Sequence, residues 1–432
     1  MKGVILAGGK GTRLSKLIKN TPKPLVKIGG KPIIEHQIVL LKKYGIRDIW
    51  ILLGFLGDQI RNYLLDGRNL GVRIHYYQEK IPLGTAGALK TLEHIIKEDF
   101  LVISGDVMLD FDLERFIRYH RKRRGIASII VHPNDHPFDS DLVEFNKEGQ
   151  ITTLLKRPHP SDLVFRNFSI ASVYIFSPNV FRYISNGVKS DTEKDILPLV
   201  LKSGCKIFAY NSPEYFKDAG TPERLFKVRH DYKCNKIHRL NLSLSRKAIF
   251  LDRDGVINRE VNQLCDVKDF KMYRFAKKAI KKINEFGYLA IIVSNQPMIA
   301  KGFMTEDDLN EIQKRLETQL ALVGAKIDAF YYCPHHPEKG FPGEISELKV
   351  KCKCRKPEIG LFLQAQKDFN IDLEQSYAIG DKTSDILAGQ RAGCTTILVK
   401  TGYGGKDKLF NIKPDIISKN LLEAINLIGD KR

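Results

Sequence analysis

Short apolar runs alternate with amphipathic stretches from the first residues onward. Residues 4–6, 49–53, 101–104 and 126–132 are runs of branched and aromatic side chains bounded by turn formers, and they read as strands. Residues 34–44 carry helical spacing and stop at Gly45, a residue that tolerates the left-handed turn after a helix. Such alternation predicts an α/β fold with a mainly parallel sheet. Near residues 231–246 the pattern lapses into a polar, basic stretch, DYKCNKIHRLNLSLSR. Apolar runs then resume at 248–251, 291–294, 377–379 and 396–399. The expected organisation is two Rossmann-like α/β domains, 1–232 and 247–432, with a linker over 233–246 and no obvious repeat between the halves.

Length and composition agree with that division. A chain of 432 residues exceeds one ordinary core. Its 43% hydrophobic and 28% charged residues fit a globular, ordered protein. No apolar stretch approaches the roughly 20 residues of a membrane span. The opening MKGVILAGGKGTRL lacks the long apolar region of a secretory signal, so a cytoplasmic protein is expected. The net charge of +20 would suit anionic partners, whether nucleic acid, membrane or small molecules. Its cations are spread along the chain, however. The densest run, His120-Arg121-Lys122-Arg123-Arg124, ends an apparent helix before Gly125, where cations favour the helix dipole. Neither a specific nucleic-acid partner nor a membrane is expected.

Chemistry enters with the loop after the first strand, Gly8-Gly9-Lys10-Gly11-Thr12-Arg13. Glycines let backbone N–H groups approach a phosphate closely, but the Gly-Lys-Ser/Thr ending of a Walker loop is missing. Thr21-Pro22-Lys23-Pro24 holds a second cation between two prolines. Downstream stand Leu83-Gly84-Thr85-Ala86-Gly87, Ser104-Gly105-Asp106 and Lys217-Asp218-Ala219-Gly220. In this order the motifs resemble the sugar-nucleotide pyrophosphorylase family, over essentially all of residues 1–230. The resemblance implies that NTP and a sugar 1-phosphate give an NDP-sugar and pyrophosphate. It makes Asp106 and Asp218 the Mg²⁺ carboxylates, Arg13 and Lys23 the phosphate cations, and Gln78, Gly84 and Thr85 contacts to the nucleotide. Two departures touch the sugar: Lys156-Arg157-Pro158 stands for Glu-Lys-Pro, and Ile170-Ala171-Ser172 for Asn-Ala-Gly.

The second half opens on Asp252-Arg253-Asp254-Gly255, two carboxylates at the end of an apolar strand, a pair suited to one Mg²⁺ and a phosphate. Ser294-Asn295-Gln296, Arg355-Lys356-Pro357 and Gly380-Asp381-Lys382-Thr383-Ser384-Asp385 follow. Between them lie Cys333-Pro334-His335 and Cys352-Lys353-Cys354, two close pairs of N/S donors suited to a closed tetrahedral Zn²⁺. His336 is the lesser choice of imidazole, and the other four of the seven cysteines read as reduced thiols.

Together these motifs resemble the haloacid-dehalogenase phosphatases, over residues 248–400. The resemblance implies attack on phosphorus by Asp252, acid–base work by Asp254 and Mg²⁺ held by Asp252, Asp254 and Asp381. Ser294 and Lys356 would bind the phosphoryl oxygens, with Asn295, Gln296 and Arg355 near the substrate and Asp385 supporting. The Cys/His loop narrows the likeness to heptose 1,7-bisphosphate 7-phosphatases and histidinol-phosphate phosphatases. A 7-phosphatase leaves the sugar 1-phosphate that a nucleotidyltransferase consumes. Consecutive steps towards a nucleotide-activated heptose, with GTP as the NTP, are therefore expected. Competing readings are histidinol phosphate or a nucleic-acid end as phosphatase substrate, and a first half that only senses sugar nucleotides. Analogy to nucleotidyltransferases of this type adds a homo-oligomer.

Overall fold

The computed structural model describes residues 1–9, 20–262 and 264–430. They form two compact units. The first comprises Met1–His132, Asp139–His159 and Phe168–Asn241; the second comprises Pro133–Phe138, Pro160–Asn167 and Leu242–Arg432. No helix among the described residues is long and apolar enough to cross a membrane.

The first unit is built on β1 (Lys2–Ala7), β2 (Asp48–Leu53), β3 (Arg73–Gln78), β4 (Phe100–Ser104), β5 (Val107–Asp110), β6 (Ala127–His132), β7 (Leu142–Phe145), β8 (Ile151–Leu155), β9 (Ser169–Phe176), β10 (Ile207–Asn211) and β11 (Tyr215–Asp218). A mixed sheet runs β8-β7-β9-β4-β1-β2-β3, with β6 joining β9 to β10. β1 is parallel to both β2 and β4, whereas β9 is antiparallel to β4. From β1 the chain moves outward to β2 and β3, then returns to β1's other side for β4. That reversal leaves a crevice at the carboxyl ends of β1 and β4, where open α/β sheets take ligands.

Local chemistry sets the helices. Helix α1 (Ile33–Lys43) buries Ile33, Ile34, Ile38 and Leu41 at helical spacing and gives way to Gly45 at φ +79°. Helix α2 (Leu113–Arg123) ends differently from the sequence expectation. Arg124, not Gly125, takes the left-handed conformation. Gly125 is instead required by packing, since a Cβ there would lie 2.7 Å from Lys206 O and from the Phe208 ring. The basic run is also not wholly solvated: His120 is buried and bonded to Ser128 Oγ at 2.8 Å.

The second unit carries an all-parallel sheet of β12 (Ala248–Leu251), β13 (Leu289–Asn295), β14 (Ala329–Cys333), β15 (Tyr377–Gly380), β16 (Thr395–Val399) and β17 (Ile416–Ser418), ordered β14-β13-β12-β15-β16-β17. Its central strands are buried on both faces, which explains their unbroken apolar runs. The switch in strand order falls between β12 and β15, so residues just past Leu251 and Gly380 share one crevice. Two short segments from earlier in the chain belong to this unit. Helix α3 (Glu306–Ala321) receives them: Glu317 accepts from Arg166 Nε at 2.8 Å and from the Asn167 amide at 2.7 Å.

Candidate active sites

In the first unit a cavity of about 460 Å³ opens at the expected crevice, lined by Gly8 and Gly9 after β1 and by Ser104 and Asp106 after β4. Lys23 reaches it from a short turn fixed by Pro22 and Pro24. Its Nζ donates to Asp106 Oδ2 at 2.8 Å, while the Ser104 hydroxyl donates to Asp106 Oδ1 at 2.9 Å. β11 pairs antiparallel with β5 so that Asp218 faces Val107, and the Ala219 amide donates to Asp106 O at 3.0 Å. The register therefore sets Asp218 opposite the residue that follows Asp106. Arg224, which the motifs did not single out, clamps Asp218 through Nη1 at 2.7 and 2.9 Å. Two carboxylates offer the hard oxygen donors that Mg²⁺ takes.

Gly84 lines the same cavity at φ +76°, packed against Ser190 O, and Thr85 Oγ1 donates to Asp191 Oδ2 at 3.1 Å. Gln78 does not line it. Its side chain is exposed and donates to Gly54 O at 3.1 Å, and the neighbouring Glu79 lines the cavity instead. Gln78, expected as a nucleotide contact, is the last residue of β3, and adjacent positions of an extended chain face opposite ways. Gly11, Thr12 and Arg13 lie outside the described residues.

At the departure positions, Lys156 Nζ donates to Lys194 O at 2.7 Å and Arg157 Nη1 to Asp139 O at 2.9 Å. Ser172 adopts φ +53°, a left-handed conformation suited to the glycine it stands for. Its hydroxyl donates to Glu193 Oε1 at 3.0 Å, and the Tyr174 hydroxyl donates to the same oxygen. Burial pushes the Glu193 carboxyl up to about 7, with the Asp141 and Asp191 charges adding to the rise and the Tyr174 and Ser172 hydrogen bonds opposing it.

In the second unit the carboxylates of Asp252, Asp381 and Asp385 offer oxygens all within 4.8 Å of one another, and all three residues are buried. Lys356 is enclosed with them, donating to Asp385 at 2.7 Å, Asp252 at 3.0 Å and Val293 O at 2.8 Å. Burial works against the lysine's charge, but Asp252 and Asp385 outweigh it and hold its pKa above the ordinary value. Burial pushes Asp252 up to about 6 against the pull of Lys356. It lifts Asp381 to about 8, with repulsion from Asp385 and Asp252 adding to the rise. Three carboxylates face two cations, Lys356 and Lys382, so the cluster is short of positive charge. Asp381 Oδ1 is buried without a partner among the described residues, and Gly255 and Gly402 leave room around that carboxylate which a Cβ would fill. This cradle of hard oxygens fits Mg²⁺.

Two expectations change here. Asp385, expected only as support, belongs to the carboxylate cluster. The Asp254 side chain, expected among the metal ligands, stands outside it. Its oxygens are taken by Arg253 at 2.9 and 3.2 Å, by Asn258 at 2.9 Å and by Gln296 at 3.1 Å. Burial opposes the charge on Asp254, yet Arg253 outweighs it and holds the carboxyl below its usual range. Gln296 also donates to Ser294 Oγ at 2.8 Å, and Asn295 brackets the Lys356 backbone at 3.0 and 3.1 Å. Asn295 thus positions the lysine.

Cys333, His335, Cys352 and Cys354 form a second group of ligand atoms. Their sulfurs lie 3.2 to 3.5 Å apart, and His335 Nδ1 is 3.3 Å from Cys354 Sγ. A tetrahedron with Zn–S near ~2.3 Å has edges of about 3.8 Å, so a modest expansion accommodates Zn²⁺. His336 is turned towards Glu338 instead. Arg355 sits by this cluster, donating to His335 O at 3.3 Å.

Fold and sites together define a nucleotidyltransferase domain joined to a phosphatase domain of the haloacid-dehalogenase type. The Nucleotidyl transferase family model matches residues 2–235, more than half of the chain, and the chain belongs to that family. The HAD-hydrolase-like model matches residues 353–424. A D-glycero-beta-D-manno-heptose-1,7-bisphosphate 7-phosphatase of Haemophilus ducreyi is 42% identical over 37% of this chain and 86% of its own length. The D-glycero-alpha-D-manno-heptose-1,7-bisphosphate 7-phosphatase of Photorhabdus laumondii is 40% identical over 42% of this chain and 96% of its own. For the first half, the mannose-1-phosphate guanylyltransferase catalytic subunit beta of Xenopus tropicalis is 34% identical over 52% of this chain and 62% of its own length.

Proposed function

We propose that the chain carries out two consecutive steps of heptose activation. The second unit removes the 7-phosphate of D-glycero-D-manno-heptose 1,7-bisphosphate. The first joins the resulting heptose 1-phosphate to an NTP, read as GTP, with release of pyrophosphate. What carries the reading is the buried Asp252–Lys356–Asp385–Asp381 cluster, in a unit similar to heptose bisphosphatases over most of their length.

In the phosphatase, Asp252 attacks phosphorus and forms an aspartyl-phosphate. Lys356 and Ser294 hold the transferring oxygens. Asp254 gives a proton to the leaving sugar oxygen and takes one from the water that hydrolyses the intermediate; Arg253 stabilises the ionised half of that cycle. Asp252, Asp381 and Asp385 would hold Mg²⁺, which would supply the positive charge that a phosphate dianion needs beside a carboxylate nucleophile. In the nucleotidyltransferase, two anions must meet in line, so positioning and charge neutralisation dominate. Lys23 and Arg13 serve the phosphates, and Asp106 and Asp218 would hold Mg²⁺ among them.

The named relatives act on opposite anomers, so the test takes both. Each anomer of the bisphosphate is given to the full chain with Mg²⁺, phosphate is measured, and each NTP is then added with pyrophosphate detection. One phosphate followed by pyrophosphate with a single NTP is expected. Absence of phosphate release from either anomer refutes the heptose substrate. Phosphate without pyrophosphate for any NTP refutes the nucleotidyl transfer assigned to the N-terminal unit.

A further inference from the structure

Two stretches of chain leave the first unit and return to it: residues 133–138 between His132 and Asp139, and residues 160–167 between His159 and Phe168. Both belong to the second unit, where helix α3 holds them. Glu317 accepts Arg166 Nε on Oε1 at 2.8 Å and the Asn167 amide on Oε2 at 2.7 Å. Asn310 Oδ1 accepts Arg166 Nη1 at 3.2 Å, and Thr318 Oγ1 accepts the Phe165 amide at 2.9 Å. Asn167 passes the hold to the other stretch, donating to Asn134 O at 2.7 Å and accepting the Asn134 amide at 3.2 Å. The mount is stiff. Thr305 and Asp308 cap the start of α3 reciprocally, and Leu309, Ile312, Leu316 and Leu320 are buried at helical spacing. Glu317 itself is 5% exposed, so its charge depends on these donors rather than on water.

The return points carry groups that the first unit's chemistry uses. β6 ends at His132 and β9 begins at Ser169, and the register sets these two residues opposite each other. The Ile170 amide donates to Asp141 O at 3.0 Å, and Asp141 takes the Arg157 amide at 2.9 Å. Asp139, the first residue after the earlier stretch, accepts Arg224 Nη2 at 2.6 Å, the arginine that clamps Asp218. Both departures at the sugar, and the support of one expected metal carboxylate, therefore hang from chain ends that Glu317 fixes. We infer that Glu317, in the phosphatase unit, is a positioning residue for nucleotidyl transfer, an inference that rests on the nucleotidyltransferase reading of the first unit. It touches no substrate. Its part is to keep β9 and residues 139–141 where a sugar 1-phosphate meets the NTP in line, a step in which ~1 Å of misplacement costs about 100-fold.

The experiment uses the full chain with Glu317→Ala, Glu317→Gln and Arg166→Met. The probe is heptose 1-phosphate, released by wild type from whichever anomer of the bisphosphate it cleaves. In Glu317→Ala, kcat/KM for heptose 1-phosphate should fall by about 10- to 100-fold, with KM for the NTP and phosphatase kcat/KM unchanged. Glu317→Gln retains an acceptor for the Asn167 amide and should fall less. Arg166→Met leaves α3 untouched and should reproduce the loss, so the outcome does not hang on one variant's folding. A general loss of structure would lower phosphatase turnover too, and the split between the constants separates positioning from folding. Without any sugar, hydrogen exchange of β9 should rise about 10-fold in Glu317→Ala while that of β2 holds. Unchanged kcat/KM for heptose 1-phosphate in Glu317→Ala and Arg166→Met overturns the positioning role while leaving the nucleotidyltransferase reading standing, as does a parallel fall of phosphatase turnover in both. A wild type that transfers no nucleotide overturns that reading and this inference together.

Discussion

Replacing Lys356 by Met tests the account of the phosphatase cluster most directly. The lysine side chain is 2% exposed, and its three donors are used on Asp252, Asp385 and Val293 O. At separations of 2.7 and 3.0 Å each carboxylate contact supplies about 6 kcal/mol of attraction for an effective dielectric constant of 20. Most of that offsets the cost of burying the charges. Removing the cation leaves Asp252 and Asp385 facing each other, with Lys382 the remaining cation near the cluster, and breaking such a buried pair costs about 3–5 kcal/mol. Methionine keeps much of the volume, so a cavity adds little. Hydrogen exchange of peptides spanning β12 and β15, in Mg²⁺-free buffer, should therefore rise by about 10²- to 10⁴-fold. Millimolar Mg²⁺ should shrink the difference, because a divalent cation in the same cradle replaces the missing charge. Trp50, the chain's single tryptophan, lies in β2 of the first unit, and its fluorescence should be unchanged. Exchange within about fivefold of wild type in Mg²⁺-free buffer would falsify the claim that Lys356 compensates the carboxylates.

Two further outcomes follow from the same structure. Purified chain should carry one tightly bound zinc, and Cys352→Ser should lose it while lowering the thermal midpoint of the second unit; zinc-free wild type with unchanged stability would count against a metal at the four-ligand cluster. For Glu193, the folded pKa of about 7 stands above the ordinary 4.5, so the folded state retains a proton that the unfolded chain releases. That contribution is fully present below pH 4.5 and is lost as pH rises towards 7, amounting to on the order of 3 kcal/mol. Glu193→Gln should accordingly gain on wild type in urea unfolding followed through Trp50 as pH rises from 5 to 8, and parallel pH dependences would contradict the shift.

Much of this protein is written locally. Strands such as β1, β12 and β15 are continuous apolar runs because they are buried on both faces, and such runs are visible in sequence. The glycine loop after β1, the Asp252-Arg253-Asp254 run after β12 and the Asp381 motif after β15 each stand at a strand's carboxyl end, so their general placement follows from the chain's own alternation. The paired Cys/His spacing likewise brought four ligands to notice before any fold was known.

Other features depend on what distant segments bring. Whether Gln78 or Glu79 faces the cavity is decided by the orientation of β3 and by the Leu83 amide, which catches one carboxylate and not the neighbouring amide. Asp385 joins the carboxylate cluster because Lys356, nearly thirty positions earlier, reaches it across the crevice, while Arg253 draws Asp254 away. Likewise, Arg166 and Asn167 pack in the second unit because Glu317 of α3 satisfies them, a contact between residues about 150 positions apart. Sequence determined which side chains stand at each strand end, because that depends on neighbours along the chain. Tertiary structure decided which of them share a charge, since a buried carboxylate takes its partner from whatever cation the fold brings within hydrogen-bond reach.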